Sequence, residues 1–144
     1  MPKRVVTGLN GAGQSCVIIE QVLDLSLTGI AWLVDQLPAD NSGTSDTARP
    51  VTFAELQSGL ASFSLVSLPA GASYPFHATD TIDFITMISG AMALVTESGE
   101  TLLEPGDLCI DRGVIHGWRT VGEAPAVYSV VMLPAHAVGG GRTV

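Results

Sequence analysis

An all-β fold, built from short antiparallel strands closed into a barrel or sandwich, is what this sequence predicts, and three observations predict it. From Ala61 onward, apolar and β-branched runs recur at regular spacing: ASFSLVSL, FHAT, DFITMI, AMALVTE, ETLLE, DLCI, GWRTV and AVYSVVML. The runs are separated by Pro-Ala-Gly, Ser-Gly, Glu-Ser-Gly and Pro-Gly punctuation, where Gly accepts a positive φ and Pro cannot continue a ladder. The best helix candidate, Thr52 to Gly59, has a capping-box start in Thr52 and Glu55, but Gly59 limits it to two turns.

The elements before the barrel follow in order. VVTGLNGAGQSCVIIEQV reads as two apolar runs around a Gly-rich turn, an N-terminal hairpin or arm. Its Gly8, Gly11 and Gly13 do not match GxGxxG, and no helical pattern follows them, so a nucleotide loop is not expected. IAWLV, Ile30 to Val34, is a strand carrying Trp32, and from Pro38 to Pro50 the composition turns to Asp, Asn, Ser, Gly and Thr, an exposed loop that could form a lid. Glu97-Ser98-Gly99-Glu100 signals a hairpin, and Gly139-Gly140-Gly141-Arg142 a mobile tail. The expected organisation is one domain over 1–144, with an arm and lid-like segment at 1–59, a barrel core at 60–135 and a tail at 136–144.

Composition narrows the partners. The 144 residues are 47% hydrophobic, enough for a sizeable core, and only 14% are charged. With a mean hydropathy of +0.41, much of the surface is weakly polar or covered by another subunit, which predicts a homodimer. Fourteen acidic against six basic residues give a net charge of −8, which repels phosphate backbones and anionic membranes, so neither is an expected partner. No run reaches the roughly 20 residues of a membrane helix, and no signal-peptide stretch follows MPKRVV, so a cytoplasmic setting is expected. Cys16 and Cys109 belong to no metal or redox cluster, and Cys109 reads as a buried thiol.

The chemistry concentrates in two stretches. In GASYPFHATDTIDFITMISG, Gly71 to Gly90, His77 and Thr79 share a strand face, and a turn near Asp80 could bring Asp83 back on the neighbouring strand. PGDLCIDRGVIHGW then supplies His116, with Trp118 two residues on and on the same face. The first spacing resembles the first motif of the cupin superfamily, which normally has His at the Thr79 position and Glu at the Asp83 position. The second motif is recognisable from Gly106 through Gly113 to His116, with Arg112 for the usual Pro, one spacer residue missing and Thr120 for the closing Asn. The resemblance covers roughly residues 60–135. It implies a cupin-type double-stranded β-helix, or jelly roll, here with an N-terminal arm able to cross to a partner subunit.

Several uses of such a site stay open. His77, Asp83 and His116 offer two imidazoles and a carboxylate, the ligand types of open-sided non-haem iron sites. They would hold a single divalent iron, manganese, nickel or zinc ion for a dioxygenase reaction, although neutral Thr79 is a poor ligand. With no metal, His77 or His116 would serve as base and acid and Asp83 would orient them or act as base, moving a proton beside a carbonyl in dehydration, isomerisation or cyclisation. Some single-domain cupins act on polyketide-like or terpenoid intermediates, and the resemblance implies a largely apolar carbonyl substrate of that kind. A non-catalytic binding module is the third reading. Thr79 would hold a substrate oxygen, Tyr74 would donate a proton at the mouth, and Phe84, Ile85, Met87, Trp118 and Met132 are the expected apolar walls, although Phe84 and Ile85 alternate. Arg112 is expected to pair with Asp111 at the surface or, facing inward, to anchor a carboxylate. His136 falls in the exposed tail, and no GxSxG elbow supports a serine hydrolase.

Overall fold

The structure, a computed structural model, describes residues 2–24 and 29–137. Among them are β1 (Lys3–Leu9), β2 (Ser15–Val22), β3 (Gly29–Val34), α1 (Phe53–Leu56), β4 (Ala61–Leu68), β5 (Ser73–His77) and β6 (Thr81–Ser89). β7 (Ala91–Thr96), β8 (Gly99–Leu103), β9 (Leu108–Asp111), β10 (His116–Val121) and β11 (Ala126–Pro134) complete the chain. One sheet has the order β5-β10-β7-β8 and the other β3-β4-β11-β6-β9, with all pairings antiparallel. Two facing sheets connected in this crossed order are a jelly roll, as expected. The capping box is formed: Glu55 N–H donates to the Thr52 hydroxyl, and the Thr52 N–H to the Glu55 carboxylate. Most of the proposed mobile tail, from residue 138, lies outside the described residues.

Strand alternation decides what faces inward. On β6, Thr81, Ile85 and Met87 are buried while Phe84 and Ile88 are about half exposed. Met87 and Met92 are at most 2% exposed and centre a core shared with Leu103, Cys109 and Val130. On the outer face Trp32, Phe63, Val131, Phe84 and Ile110 stand in register, an apolar row across five strands.

The expected placement of Asp83 beside His77 on a neighbouring strand is corrected here. β5 pairs with β10 in one sheet and β6 with β11 and β9 in the other, so Ala78 to Asp80 carry the chain between sheets instead of turning a hairpin. His77 and Asp83 consequently approach the interior from facing sheets. The crossing is pinned by Gly113, whose φ is +73° and whose missing Cβ would stand 2.3 Å from the Thr79 carbonyl oxygen. Only glycine fits there, which explains its place in the second motif.

The N-terminal hairpin folds back on its own barrel. Arg4 donates to Gln21 on β2, to the Ala31 carbonyl on β3 (3.0 Å) and to Asp46 in the 38–50 loop. One guanidinium therefore ties the arm, the sheet and the loop together at the barrel mouth.

Candidate active site

Between the sheets lies a cavity of about 790 Å³, walled by alternate residues of each strand. Val66 from β4, Tyr128, Val130 and Met132 from β11 and Asp83 and Ile85 from β6 face Tyr74 and His77 from β5 and His116 and Trp118 from β10. Thr79 joins them from the crossing. Two of the expected walls are elsewhere. Phe84 points outward by strand alternation, and Met87, though on the inner face of β6, is sealed in the core and does not line the cavity. Tyr74 stands at the mouth, 41% exposed, and His136 is exposed away from the site.

Both site histidines are held by the same local device. His77 Nδ1 lies 2.9 Å from the Pro75 carbonyl oxygen, and His116 Nδ1 lies 2.8 Å from that of Val114. Each carbonyl accepts the Nδ1 proton and assigns Nε2 to whatever faces the ring. β5 and β10 place the two residues opposite each other, with ring centroids 4.3 Å apart, and Trp118 meets the His116 ring edge-on at 5.4 Å.

The carboxylate beside His116 is Asp111, not Asp83. Asp111 Oδ2 lies 2.9 Å from His116 Nε2, with both side chains 2% exposed, and this close charge contact offsets the burial of an oxygen that accepts no hydrogen bond. Asp111 Oδ1 accepts from the Gly113 N–H at 3.0 Å. Arg112 is exposed, as expected, but its expected surface pair with Asp111 is corrected: adjacent residues on an extended strand face opposite ways, and Asp111 faces in. Burial lowers the His116 pKa, yet the bonds to Asp111 and Val114 and the charges of Asp111 and Asp83 outweigh it, so the net shift is upward.

Asp83 sits in a separate hydrogen-bond chain. The Thr81 hydroxyl lies 2.7 Å from Asp83 Oδ1 and 2.8 Å from the Thr79 hydroxyl. The Thr81 hydroxyl is placed to donate to either oxygen and, having one proton, donates to one of them at a time. The histidine Nδ1 atoms are held by the Pro75 and Val114 carbonyls, while Asp83 bonds to Thr81. Burial pushes the Asp83 carboxyl up to about 6, against the Thr81 hydrogen bond, with the Asp111 charge adding to the rise and His116 opposing it. Sequence reasoning missed Asp111, Thr81 and Tyr128. Burial also raises the phenol pKa of Tyr128, keeping it protonated.

The divalent metal that the resemblance implies meets a donor set that does not fit it. Among the described residues no three His, Cys, Asp or Glu side chains gather closely enough to hold one ion. His77, Asp83 and His116 share the cavity without forming the expected triad, since Asp111 faces His116 Nε2 and Thr79 and Thr81 hold Asp83.

Comparisons with known proteins agree with this architecture. The family described as Cupin_2, cupin domain, matches residues 64–132, from β4 into β11. The solved cupin domain of Cnp3 from Schizosaccharomyces pombe superposes with a TM-score of 0.55 over 93% of this chain and 88% of that chain, at 13% identity. Phomopsin biosynthesis cluster protein C' of Diaporthe leptostromiformis is 26% identical over 82% of this chain and 70% of its own length. The cupin-domain-containing oxidoreductase fogC of Aspergillus ruber is 25% identical over 94% of this chain and 73% of its own. With the family match lying on the barrel strands and the jelly roll shared along nearly the whole chain, residues 64–132 of this protein form a cupin domain.

Proposed function

We propose that this chain is an enzyme of small-molecule biosynthesis that moves a proton beside a carbonyl group, in a dehydration, isomerisation or cyclisation of a largely apolar, polyketide-like or terpenoid compound. The observation that supports it most is the separation of two proton-handling groups in one apolar cavity. His77, with Nδ1 committed to Pro75, has Nε2 as its basic nitrogen, while Asp83 titrates at about 6 and carries a proton in part of the population near neutrality. His77 takes a proton from the carbon next to the carbonyl, and Asp83 gives its proton to the carbonyl oxygen, leaving an enol. Return of the proton to another carbon isomerises the substrate, and loss of a β-hydroxyl as water dehydrates it. Trp118, Val130 and Met132 supply the apolar wall, and Tyr74 meets the substrate at the mouth. The relative from a phomopsin biosynthesis cluster supports small-molecule biosynthesis as the setting.

A second reading, an iron- or manganese-dependent dioxygenase, is favoured by the names of two relatives, fogC and the srdD protein of Neurospora crassa, both called cupin-domain-containing oxidoreductases. One experiment separates the two. The protein, with and without chelator, is incubated in deuterated water with a panel of β-dicarbonyl and β-hydroxycarbonyl compounds, and deuterium incorporation is followed by NMR. Chelator-insensitive exchange that falls about a hundredfold in both His77→Ala and Asp83→Asn is the expected result. Exchange untouched by either substitution refutes the proton-transfer reading, and iron-dependent oxygen consumption on the same panel establishes the second.

A further inference from the structure

We propose that the outer face of the five-stranded sheet is the contact between two copies of this chain, an isologous homodimer with its two-fold axis along β11 at Val131. Register fixes what that face carries. The row Trp32, Phe63, Val131, Phe84 and Ile110 crosses all five strands, and the next row runs from Gly29 through Leu65, Ser129 and Thr86 to Leu108. Among these described residues none is charged. Phe63, Phe84, Leu108 and Ile110 are between 43% and 70% exposed. At roughly 150–200 Å² per fully exposed side chain of this size, those four leave about 400 Å² of apolar surface in water, and the rest of the face brings it to about 700 Å². A lone domain seldom leaves so large an apolar patch in water, and a standard interface takes about 800 Å² from each partner.

Charge and shape together select a second copy as the occupant. Two chains of net charge −8 repel each other, so they meet stably only across a surface without charge, and these two rows are such a surface. A basic or phosphorylated partner would find nothing here to pair with. The face is also complementary to itself. β11 is the middle strand of the order β3-β4-β11-β6-β9, so a two-fold axis along it sets Phe63 against the partner's Phe84 and Trp32 against the partner's Ile110. At the β3 end, the N-terminal hairpin and the sheet enclose a cleft lined by Val5, Leu9, Trp32, Phe63 and Leu65, with Val5 and Leu9 half exposed or more. At the β9 end, Leu108 and Ile110 are the most exposed apolar residues of the face. The same axis brings that end of each copy to the cleft of the other, which closes the contact at two subunits. The inference does not depend on the reaction proposed above.

The test is sedimentation equilibrium on the full chain, at loading concentrations from about 1 to about 100 µM. Wild type is compared with Phe63→Lys and Ile110→Lys, and with Leu102→Lys as a control at a half-exposed apolar position on the other sheet. Both test positions meet water in the single copy, so lysine there leaves the barrel folded, which circular dichroism checks. In the dimer it buries an ammonium with no acid opposite. Either variant that keeps its β structure decides the question. We expect a wild-type dimer, a dissociation constant raised at least about a hundredfold in Phe63→Lys and in Ile110→Lys, and a control that behaves as wild type. Wild type that stays monomeric at about 100 µM overturns the proposal, and flotation with phosphatidylcholine vesicles would then give the face to a lipid surface instead. A dimer untouched by both substitutions overturns it as well, since the contact then lies elsewhere, and so does equal dissociation of the control.

Discussion

Replacing Asp83 by Asn should stabilise the protein while disabling the proposed chemistry, and the gain should depend on pH. Burial lifts the Asp83 carboxyl from 3.8 to about 6. At about 1.4 kcal/mol per unit, ionising it in the folded protein costs at most about 3 kcal/mol, and about 1–2 kcal/mol once its remaining contact with solvent is allowed for. The sign follows from proton counts. Between the ordinary carboxylate value and about pH 6 the folded state keeps a proton that the unfolded chain has released, so stability falls as pH rises through that window and stays lower above it. Asn is never ionised, and its side-chain oxygen still accepts from Thr81. Urea unfolding followed by circular dichroism should therefore show Asp83→Asn more stable by about 1–2 kcal/mol at pH 8, with most of the difference gone at pH 4. Equal differences at the two pH values, or a destabilised variant at pH 8, would refute the claim that Asp83 is held in an environment hostile to its charge.

Other substitutions probe the elements around it. Asp111→Ala leaves His116 buried without its counter-ion and should cost about 3–5 kcal/mol at pH 6. Because the His116 pKa is raised, the charged pair contributes fully below the ordinary imidazole value and loses its contribution as pH rises through the raised one, so urea titration should find a smaller penalty at pH 9. Gly113→Ala combines a positive φ with a Cβ 2.3 Å from the Thr79 oxygen and should lower stability by about 2–4 kcal/mol, read by thermal melting. Arg4→Met removes five hydrogen bonds at the mouth and should speed proteinase K cleavage within 38–50 while leaving the barrel's melting nearly unchanged. Unaltered cleavage there would mean that the loop is held by something other than Arg4.

Strand positions were legible because alternation and turn chemistry are local. ASFSLVSL is β4 residue for residue, and the Thr52–Glu55 capping box formed as read. What stayed hidden was which sheet each strand joins. Period-two patterning tells the two faces of a strand apart, but three residues between His77 and Thr81 suit a hairpin or a crossing equally, and only packing against Gly113 decides for the crossing. Asp111 was hidden by its neighbour, since the adjacent Arg112 suggested an ordinary surface pair. The signal was nevertheless present two residues earlier: Cys109 reads as buried, and on an extended strand Asp111 must share its face. The same step of two links Asp83 to Thr81 and Met132 through Val130 to Tyr128, which would have found both missed residues.

The two histidines show why a change of chemistry in this barrel costs little structurally. Each ring is oriented by the carbonyl two residues before it, Pro75 for His77 at the end of β5 and Val114 for His116 at the start of β10. Nothing in that device depends on what Nε2 meets. A metal ion, a substrate proton or a carboxylate can occupy the position in front of the ring without moving the backbone that aims it. At His116 a carboxylate from β9 lies 2.9 Å from Nε2, carried there by a strand already paired to the one bearing Asp83. The register sets Asp83 and Asp111 directly opposite, so the charge that secures His116 also helps raise the Asp83 carboxyl towards neutrality. A carboxylate placed beside one histidine thus also bears on the proton affinity of the acid across the ladder. Burial remains the larger cause of that rise, and Asp111 adds its charge to it from the strand opposite.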